Sequence, residues 1–554
     1  MSAPIPWRPD RMPFTPLLGA VFVALLALTP SLLPRPAAFQ GLLCGVGALI
    51  GYAGGSLIGW IVRGFGLRLT GRARWYAWRA LAVLAVGATI TMLIFYFQWQ
   101  RDLRRLVGTE SLGFGHLTVV VLIAVIVFGA VLVISRFVRS GGRYVGRQIA
   151  RVLPSRVAVV LGALIVGLGT YVVVDNVLFG RLLERLDGVF MAINDEFSAD
   201  VPPPTSPHLS GGPGTLVPWS RLGRQGRVFV ANVSTPAEIS RFTGRTALQP
   251  VRAYVGVGTS GDIDLRSEAQ LAVKELERTG GFDRAVLNVA TGTGRGWVNE
   301  NQAKALEFMW NGDVATVSMQ YSYLPSWMSF LLDGDRAQDA GRLLFEAVYD
   351  HWQRLPASRR PKLVVSGESL GTFGGESAFS GAQDMAVRPS GGLFVGPTGA
   401  NRLWSQFTTE RDPGTREVEP VYQRGAIVRF SPDGDTWPGD GTWTGPRIGY
   451  LQHANDPVTW WTMSLALHRP DWLREPRGTG VLPTMRWIPV VTMLQVAADQ
   501  MVANSVPPGQ GHRFGLAPVR AWTHILPPPG WNDARTDRLA DAVYAATRDD
   551  IDAD

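Results

Sequence analysis

The sequence predicts an all-α membrane domain of about five transmembrane helices, followed by an alternating α/β domain built on a mostly parallel sheet. Three observations carry that prediction. Five long uncharged apolar runs precede residue 180, arginines cluster between them, and from Arg227 onward short β-rich runs alternate with helical patterns. Composition agrees: 46% of the 554 residues are hydrophobic and only 18% charged, against roughly 25% charged in an ordinary soluble domain. Disorder over most of the length is excluded. So are collagen-like and disulfide-stapled classes, since the 63 glycines show no three-residue period and Cys44 stands alone. A net charge of +8 by itself permits nucleic-acid binding. The arginines sit at membrane edges, and that disfavours it.

The membrane domain is expected over 1–180. Its apolar runs are Met12 to Pro34, Pro36 to Val62, Ala80 to Gln100, Leu117 to Ser135 and Val157 to Val174. Each is near the ~20 residues that cross a hydrocarbon core as a helix. The second carries Gly47, Gly51, Gly55 and Gly59 at spacing four, a single face on which a neighbouring helix can approach closely. That seam also suits a homo-oligomer. Thirteen arginines fall in the N-terminal segment and the second and fourth loops, against four on the opposite side. The imbalance places the N-terminus in the cytoplasm and, after five crossings, everything beyond residue 180 outside it. Reading the first run as a secretory signal leaves that side unchanged.

Residues 181–226 read as an amphipathic interfacial helix, with Leu182, Leu183, Leu186, Val189, Phe190, Ile193 and Phe197 on one stripe, then a Pro/Gly-rich linker. The α/β domain follows over 227–554. Strands are expected at Val228 to Val233, Val251 to Val257, Ala285 to Ala290, Ala315 to Tyr321, Lys362 to Val365, Gly392 to Val395 and Ile448 to Gln452. Helices are expected at Ser267 to Arg278, Asn301 to Trp310 and Gly341 to Leu355. Such alternation implies a parallel sheet covered on both faces, with chemistry at the carboxyl ends of its strands.

The strongest local signal is Gly367-Glu368-Ser369-Leu370-Gly371, a G-x-S-x-G pattern directly after a buried strand and before a helix. A sharp strained turn there presents Ser369 Oγ at the sheet edge, and the flanking glycines relieve crowding. An imidazole base must come late in the chain, and His512, on the loop Val506-Pro-Pro-Gly-Gln-Gly-His, suits reaching across a site. His524 is the alternative; His453 ends a strand too close to the acid, and His468 also remains. Asp456, just past a strand end, is the acid that orients the imidazole, ahead of Asp433, Asp435 and Asp440. The oxyanion needs backbone N–H groups: Leu370 after the serine, and Thr293 or Gly294 from Thr291-Gly-Thr-Gly-Arg-Gly-Trp297. That loop lacks the lysine of a phosphate-cradling P-loop. A substrate-covering lid is expected at about 397–446, and Tyr321, Tyr323, Trp460 and Trp461 are expected to line an acyl or sugar site. No histidine–carboxylate cluster has ligand spacing, so no metal and no cofactor is expected.

Together these elements resemble a bacterial, mainly actinobacterial, membrane-anchored α/β-hydrolase family. The matching stretches are Glu275-Leu-Glu-Arg-Thr-Gly-Gly-Phe-Asp, Thr291-Gly-Thr-Gly, Gln320-Tyr-Ser-Tyr-Leu-Pro-Ser, Arg360-Pro-Lys-Leu, Gly367-Glu-Ser-Leu-Gly, Tyr450-Leu-Gln-His-Ala-Asn-Asp-Pro and Val506-Pro-Pro-Gly-Gln-Gly-His. The resemblance covers nearly the whole chain and implies an α/β-hydrolase fold with Ser369, His512 and Asp456 as its site. The expected protein is a serine esterase or lipase on the outer face of a cytoplasmic membrane, with the bilayer and a lipid or cell-envelope ester as partners. An acyltransferase with the same three residues is the nearest rival, and a non-catalytic membrane scaffold the second.

Overall fold

The computed structural model describes residues 14–66, 71–172, 189–197, 201–257, 264–326, 328–329 and 334–547. They form two compact units. The first takes the chain up to Leu183 together with Met463–Leu473 and Gly480–Val502; the second takes Glu184–Thr462, Arg474–Thr479 and Ala503–Asp554. The single 227–554 domain expected from the sequence therefore gives up two segments to the first unit.

In the first unit the apolar runs fold as α1 (Phe14–Leu26), α2 (Ala37–Gly64), α3 (Gly71–Val107), α4 (His116–Ile149) and α5 (Ser155–Val172). Among the described residues α2, α3 and α4 are long and apolar enough to cross a membrane, while α1 and the apolar part of α5 are shorter apolar helices. The run from Met12 to Pro34 is cut short because Pro30 and Pro34 cannot continue a helix, and each disfavours helical geometry in the residue before it. The 13 residues of α1 rise only about 20 Å, short of a ~30 Å core. Large apolar side chains such as Trp60, Leu84, Ile126 and Leu168 point outward and are exposed, the inverse of a water-facing bundle. Much of the expected arginine-bearing loops is helix, since α4 runs on through Arg136, Arg139, Arg143 and Arg147.

The glycine seam of α2 is real, but its partner is α1 of the same chain. A methyl on Gly51 would lie 2.0 Å from Gly19 O, and one on Gly55 would lie 2.2 Å from Thr15 O. Intramolecular packing already occupies the face expected to join two copies. Gly41 and Gly45 admit α4 in the same manner, against Ile123 and Val127. The turn between α1 and α2 is held by the helix Val491–Gln500 of the returning segment. There the fully buried Asp499 accepts from Leu32 N (3.0 Å), Leu33 N (3.4 Å) and Arg35 Nη1 (2.8 Å). Burial pushes its carboxyl up and the Arg35 guanidinium pulls it back down.

The second unit is built on a seven-stranded sheet, β1 (Val251–Val255), β2 (Val286–Thr291), β3 (Val314–Met319), β4 (Lys362–Glu368), β5 (Gly391–Val395), β6 (Val428–Ser431) and β7 (Arg447–Leu451). The order is β1-β3-β2-β4-β5-β7-β6 and every pairing is parallel. The strands are buried almost end to end, as continuous apolar runs in a doubly covered sheet must be. One helix layer groups Leu265–Thr279, Gly334–Arg354 and Leu370–Gly375; the other groups Glu300–Met309, Ala517–Ile525 and Asp533–Ala546.

Three expectations change here. Val228 to Val233 is not a strand: Gly223–Ala231 is a helix that buries Gly226, Phe229 and Val230 on one face. The stretch 397–446, expected as an irregular lid, instead supplies a helix (Arg402–Thr409) and the edge strand β6. Its tryptophans pack inward, with Trp443 Nε1 donating to Ile427 O (2.8 Å) and Trp404 Nε1 to Gln452 Oε1 (2.7 Å). The Pro/Gly-rich linker is stitched to the sheet, with Ser210 N donating to Arg252 O (3.0 Å). The buried Glu275 collects Ser210 Oγ (3.0 Å), Thr215 Oγ1 (2.8 Å) and Leu216 N (3.0 Å). Leu182, Leu183 and Leu186 of the expected interfacial helix lie outside the described residues; 189–195 is helical.

Candidate active site

Four adjacent strands, β2, β4, β5 and β7, end at one edge of the sheet, and the residues just past those ends make the site. After β4 the chain turns at Ser369 with φ 54 and ψ −123, a backbone conformation that side-chain-bearing residues avoid. The turn is tight on both sides. A methyl on Gly367 would sit 2.4 Å from Gly371 O, and one on Gly371 would sit 2.3 Å from Thr291 O at the end of β2. Glycine is therefore required at both positions of the G-x-S-x-G pattern. Ser369 N donates to Val395 O (2.9 Å), tying the turn to the end of β5. The helix Leu370–Gly375 starts immediately, so the Leu370 N–H is one of the first-turn donors that a helix leaves without an internal partner.

The next residue of β5's exit, Gly396, makes room for the imidazole. A methyl there would meet His512 Cε1 at 2.5 Å and Phe514 Cε2 at 2.8 Å, and its φ is +57. Thus His512 packs on the residue adjoining the serine's own backbone anchor. His512 Nδ1 is 2.7 Å from Asp456 Oδ2, with the carboxylate fully buried and the ring 6% exposed. Asp456 caps the short helix Pro457–Trp460, accepting from Val458 N (2.9 Å) and Thr459 Oγ1 (3.2 Å). Those bonds fix the carboxylate before it meets the ring. Of the histidines and acids weighed from the sequence, these two are the pair brought together. His524 approaches Asp435 at 3.4 Å on another face, and Asp433 is spent capping Thr436 N (2.7 Å) and Asp435 N (2.9 Å). His468 belongs to the first unit.

The loop after β2 lies against the serine turn through the Thr291–Gly371 approach. Its own geometry separates the two oxyanion candidates. Thr293 N donates to Trp297 O (2.9 Å), which closes the turn and commits that donor, while Gly294 makes no such bond in the turn. Tyr254 Oη donates to Gly296 O (2.8 Å) and holds the loop from β1. The expected aromatic wall is mostly sequestered: Tyr321, Tyr323 and Trp460 are buried, and only Trp461 of the four is partly exposed. Trp460 Nε1 donates to His453 O (2.9 Å), a supporting contact.

Sequence reading missed the residues that hold the histidine loop. His453 Nδ1 pairs with Gly511 O (2.8 Å), Gly511 N donates to Asn455 Oδ1 (3.1 Å), and Asn455 Nδ2 donates to Gln510 Oε1 (2.7 Å). Burial holds the His453 imidazole below its ordinary pKa, so the ring is neutral and locks the loop by hydrogen bonding. The signal was their adjacency to Asp456 within Gln452-His-Ala-Asn-Asp-Pro. Below the serine turn, Asn299 Nδ2 donates to Glu368 Oε2, linking the turn to the cap of the helix Glu300–Met309. Among the described residues no cluster of three or more His, Cys, Asp or Glu is placed to hold a metal ion.

A parallel sheet covered by helices, with a strained serine turn after its central strand and a carboxylate–imidazole pair beside it, is an α/β-hydrolase arrangement. The chain belongs to the alpha/beta-hydrolase family: residues 251–539 match the model of that family, and residues 28–233 match the model of its N-terminal region. No curated protein and no solved structure matches the chain.

Proposed function

We propose that the protein is a membrane-attached serine hydrolase acting on a lipid or cell-envelope ester. The observation that carries this reading is the buried 2.7 Å Asp456–His512 pair set beside the strained Ser369 turn. Ser369 Oγ attacks the ester carbonyl while His512 takes its proton at Nε2. Asp456, bonded to Nδ1, keeps that tautomer and stabilises the imidazolium as it forms. The N–H groups of Leu370 and Gly294 meet the oxyanion of the tetrahedral intermediate, and each such donor typically contributes ~10²–10³ in rate. The intermediate collapses to an acyl-enzyme as the alcohol leaves with the proton from His512. Water, deprotonated by the same ring, then releases the acid.

The apolar N-terminal helices supply the reason for an ester of membrane origin. Substrate anchored in the bilayer is presented at high local concentration to an enzyme that shares it. Fluorophosphonate labelling of the full chain in membranes tests the reading. Label on wild type that is lost in Ser369→Ala is the expected result. A folded wild type that takes no label overturns it and favours a scaffold.

A further inference from the structure

The second unit contains a cavity of about 600 Å³ that is separate from the residues proposed to do chemistry. Ser369, His512 and Asp456 do not line it. Its volume falls in the ~300–1,000 Å³ range of small-molecule sites. The inner walls are mainly apolar, from Pro432, Ala454, Phe514 and Leu516. Phe514 is shared with the active site: its ring stacks on His453 at 4.2 Å and stands edge-on to His512 at 5.9 Å.

The charges at the mouth are already satisfied. Arg520 pairs with Asp435 (3.0 Å) and Asp537 (2.9 Å), Glu419 pairs with Arg416, and Asp433 accepts from the backbone of its own turn. An ionic ligand would have to break one of these pairs or enter apolar walls uncompensated, and both are costly. Hydroxyl and amide groups remain at the rim, on Thr479, Tyr544 and Gln510, whose Oε1 alone is taken by Asn455. We infer that this cavity is a binding site for an uncharged amphiphile, with its alkyl body against Phe514 and Leu516 and a hydroxylated head at Thr479 and Tyr544.

The test uses the full chain in phosphatidylcholine nanodiscs and an alkyl-diazirine analogue of decylglycerol ether. The ether cannot be hydrolysed, so the readout does not depend on Ser369 being a nucleophile. After photolysis, mass spectrometry should find label on peptides from 508–517 or 544–547, displaced by excess unlabelled decylglycerol ether. Thr479→Trp, at an exposed position on the rim, and Ala517→Trp, on the wall, should each lower that label severalfold with unchanged melting. Label confined to the apolar helices of the first unit overturns the inference on wild type alone. So does label at 508–517 that neither unlabelled compound nor either tryptophan reduces.

Discussion

Replacing Ser369 by glycine should make the protein more stable than replacing it by alanine. Both variants lack the hydroxyl, so their difference isolates a Cβ held at φ 54 and ψ −123. A non-glycine residue in such a sparsely populated region costs ~1–3 kcal/mol. Glycine returns about 0.5–1 kcal/mol of that through the extra freedom of its unfolded chain. At the middle of those ranges the net gain for Ser369→Gly over Ser369→Ala is about 1 kcal/mol. For a unit of this size that is a rise of roughly 1–2 °C in melting temperature. Tryptophan fluorescence of the purified full chain during heating reads it, and fluorophosphonate should label neither variant. Equal melting temperatures, or a lower one for glycine, would refute the claim that the serine turn stores strain.

Gly396→Ala should cut labelling of Ser369 by about 100-fold or more, the usual cost of displacing a reacting group by an ångström. Its methyl would press on His512 Cε1 at 2.5 Å, whereas the fold, followed by circular dichroism, should survive. Stability should fall as pH drops from ~6.5 through the lower folded-state pKa of His453, because a depressed imidazole contributes above its unfolded value and loses that contribution on protonation. His453→Asn should flatten this acid limb in denaturant titrations. In the first unit, Gly51→Val should abolish a folded, detergent-stable protein, since its Cβ would lie 2.0 Å from Gly19 O. Gly54→Ala, one turn away with nothing within 4 Å, should be tolerated, as judged by size-exclusion profile.

The sequence was legible where one physical signal dominated. Six of the seven strands stand out because a fully buried parallel strand is a short apolar run between turn residues. The seventh, β6, contains Arg429, whose head folds back to Gly425 O (2.8 Å), so its polarity hides an edge strand. The misread strand at Val228 failed for the opposite reason: Val228-Phe-Val-Ala has β-rich composition, but Gly226, Phe229 and Val230 bury with helical spacing against Tyr254. Chain order points to Asp456 and His512, which the fold pairs at 2.7 Å, and the G-x-S-x-G motif points to the turn at Ser369. Nothing local in the sequence marks Gly396, and only closeness to Asp456 marks His453; their roles arise when β5, β7 and the 508–512 loop converge. The returning segment was invisible for a related reason. Between Asp456 and His512 the chain joins the first unit over 463–473 and 480–502, and no periodicity announces that Asp499 belongs to Arg35.

Which side of the membrane Ser369 would work on turns on α5 and on the returning segment, whose Asp499 pairs with Arg35 before the end of α2 opposite Arg63. Arg63 and Arg72, Arg74 and Arg79 crowd the facing ends of α2 and α3, and Arg136, Arg139, Arg143 and Arg147 crowd the C-terminal end of α4. If α2, α3 and α4 each cross, both groups lie on one side, and the excess of arginine makes that side cytoplasmic. The chain then leaves α4 in the cytoplasm whether or not the short α1 crosses. With 18 described residues, α5 rises about 27 Å, close to a hydrocarbon core of ~30 Å, and the apolar sequence runs on to Val174. We therefore expect α5 to cross and the hydrolase unit to be extracytoplasmic. The chain's one cysteine, Cys44, is buried, so a cysteine placed at the exposed Ser358 gives a clean reporter. A membrane-impermeant maleimide should label Ser358→Cys in intact spheroplasts. Labelling only after permeabilisation would leave the serine chemistry untouched but move its ester substrate to the inner leaflet or the cytosol.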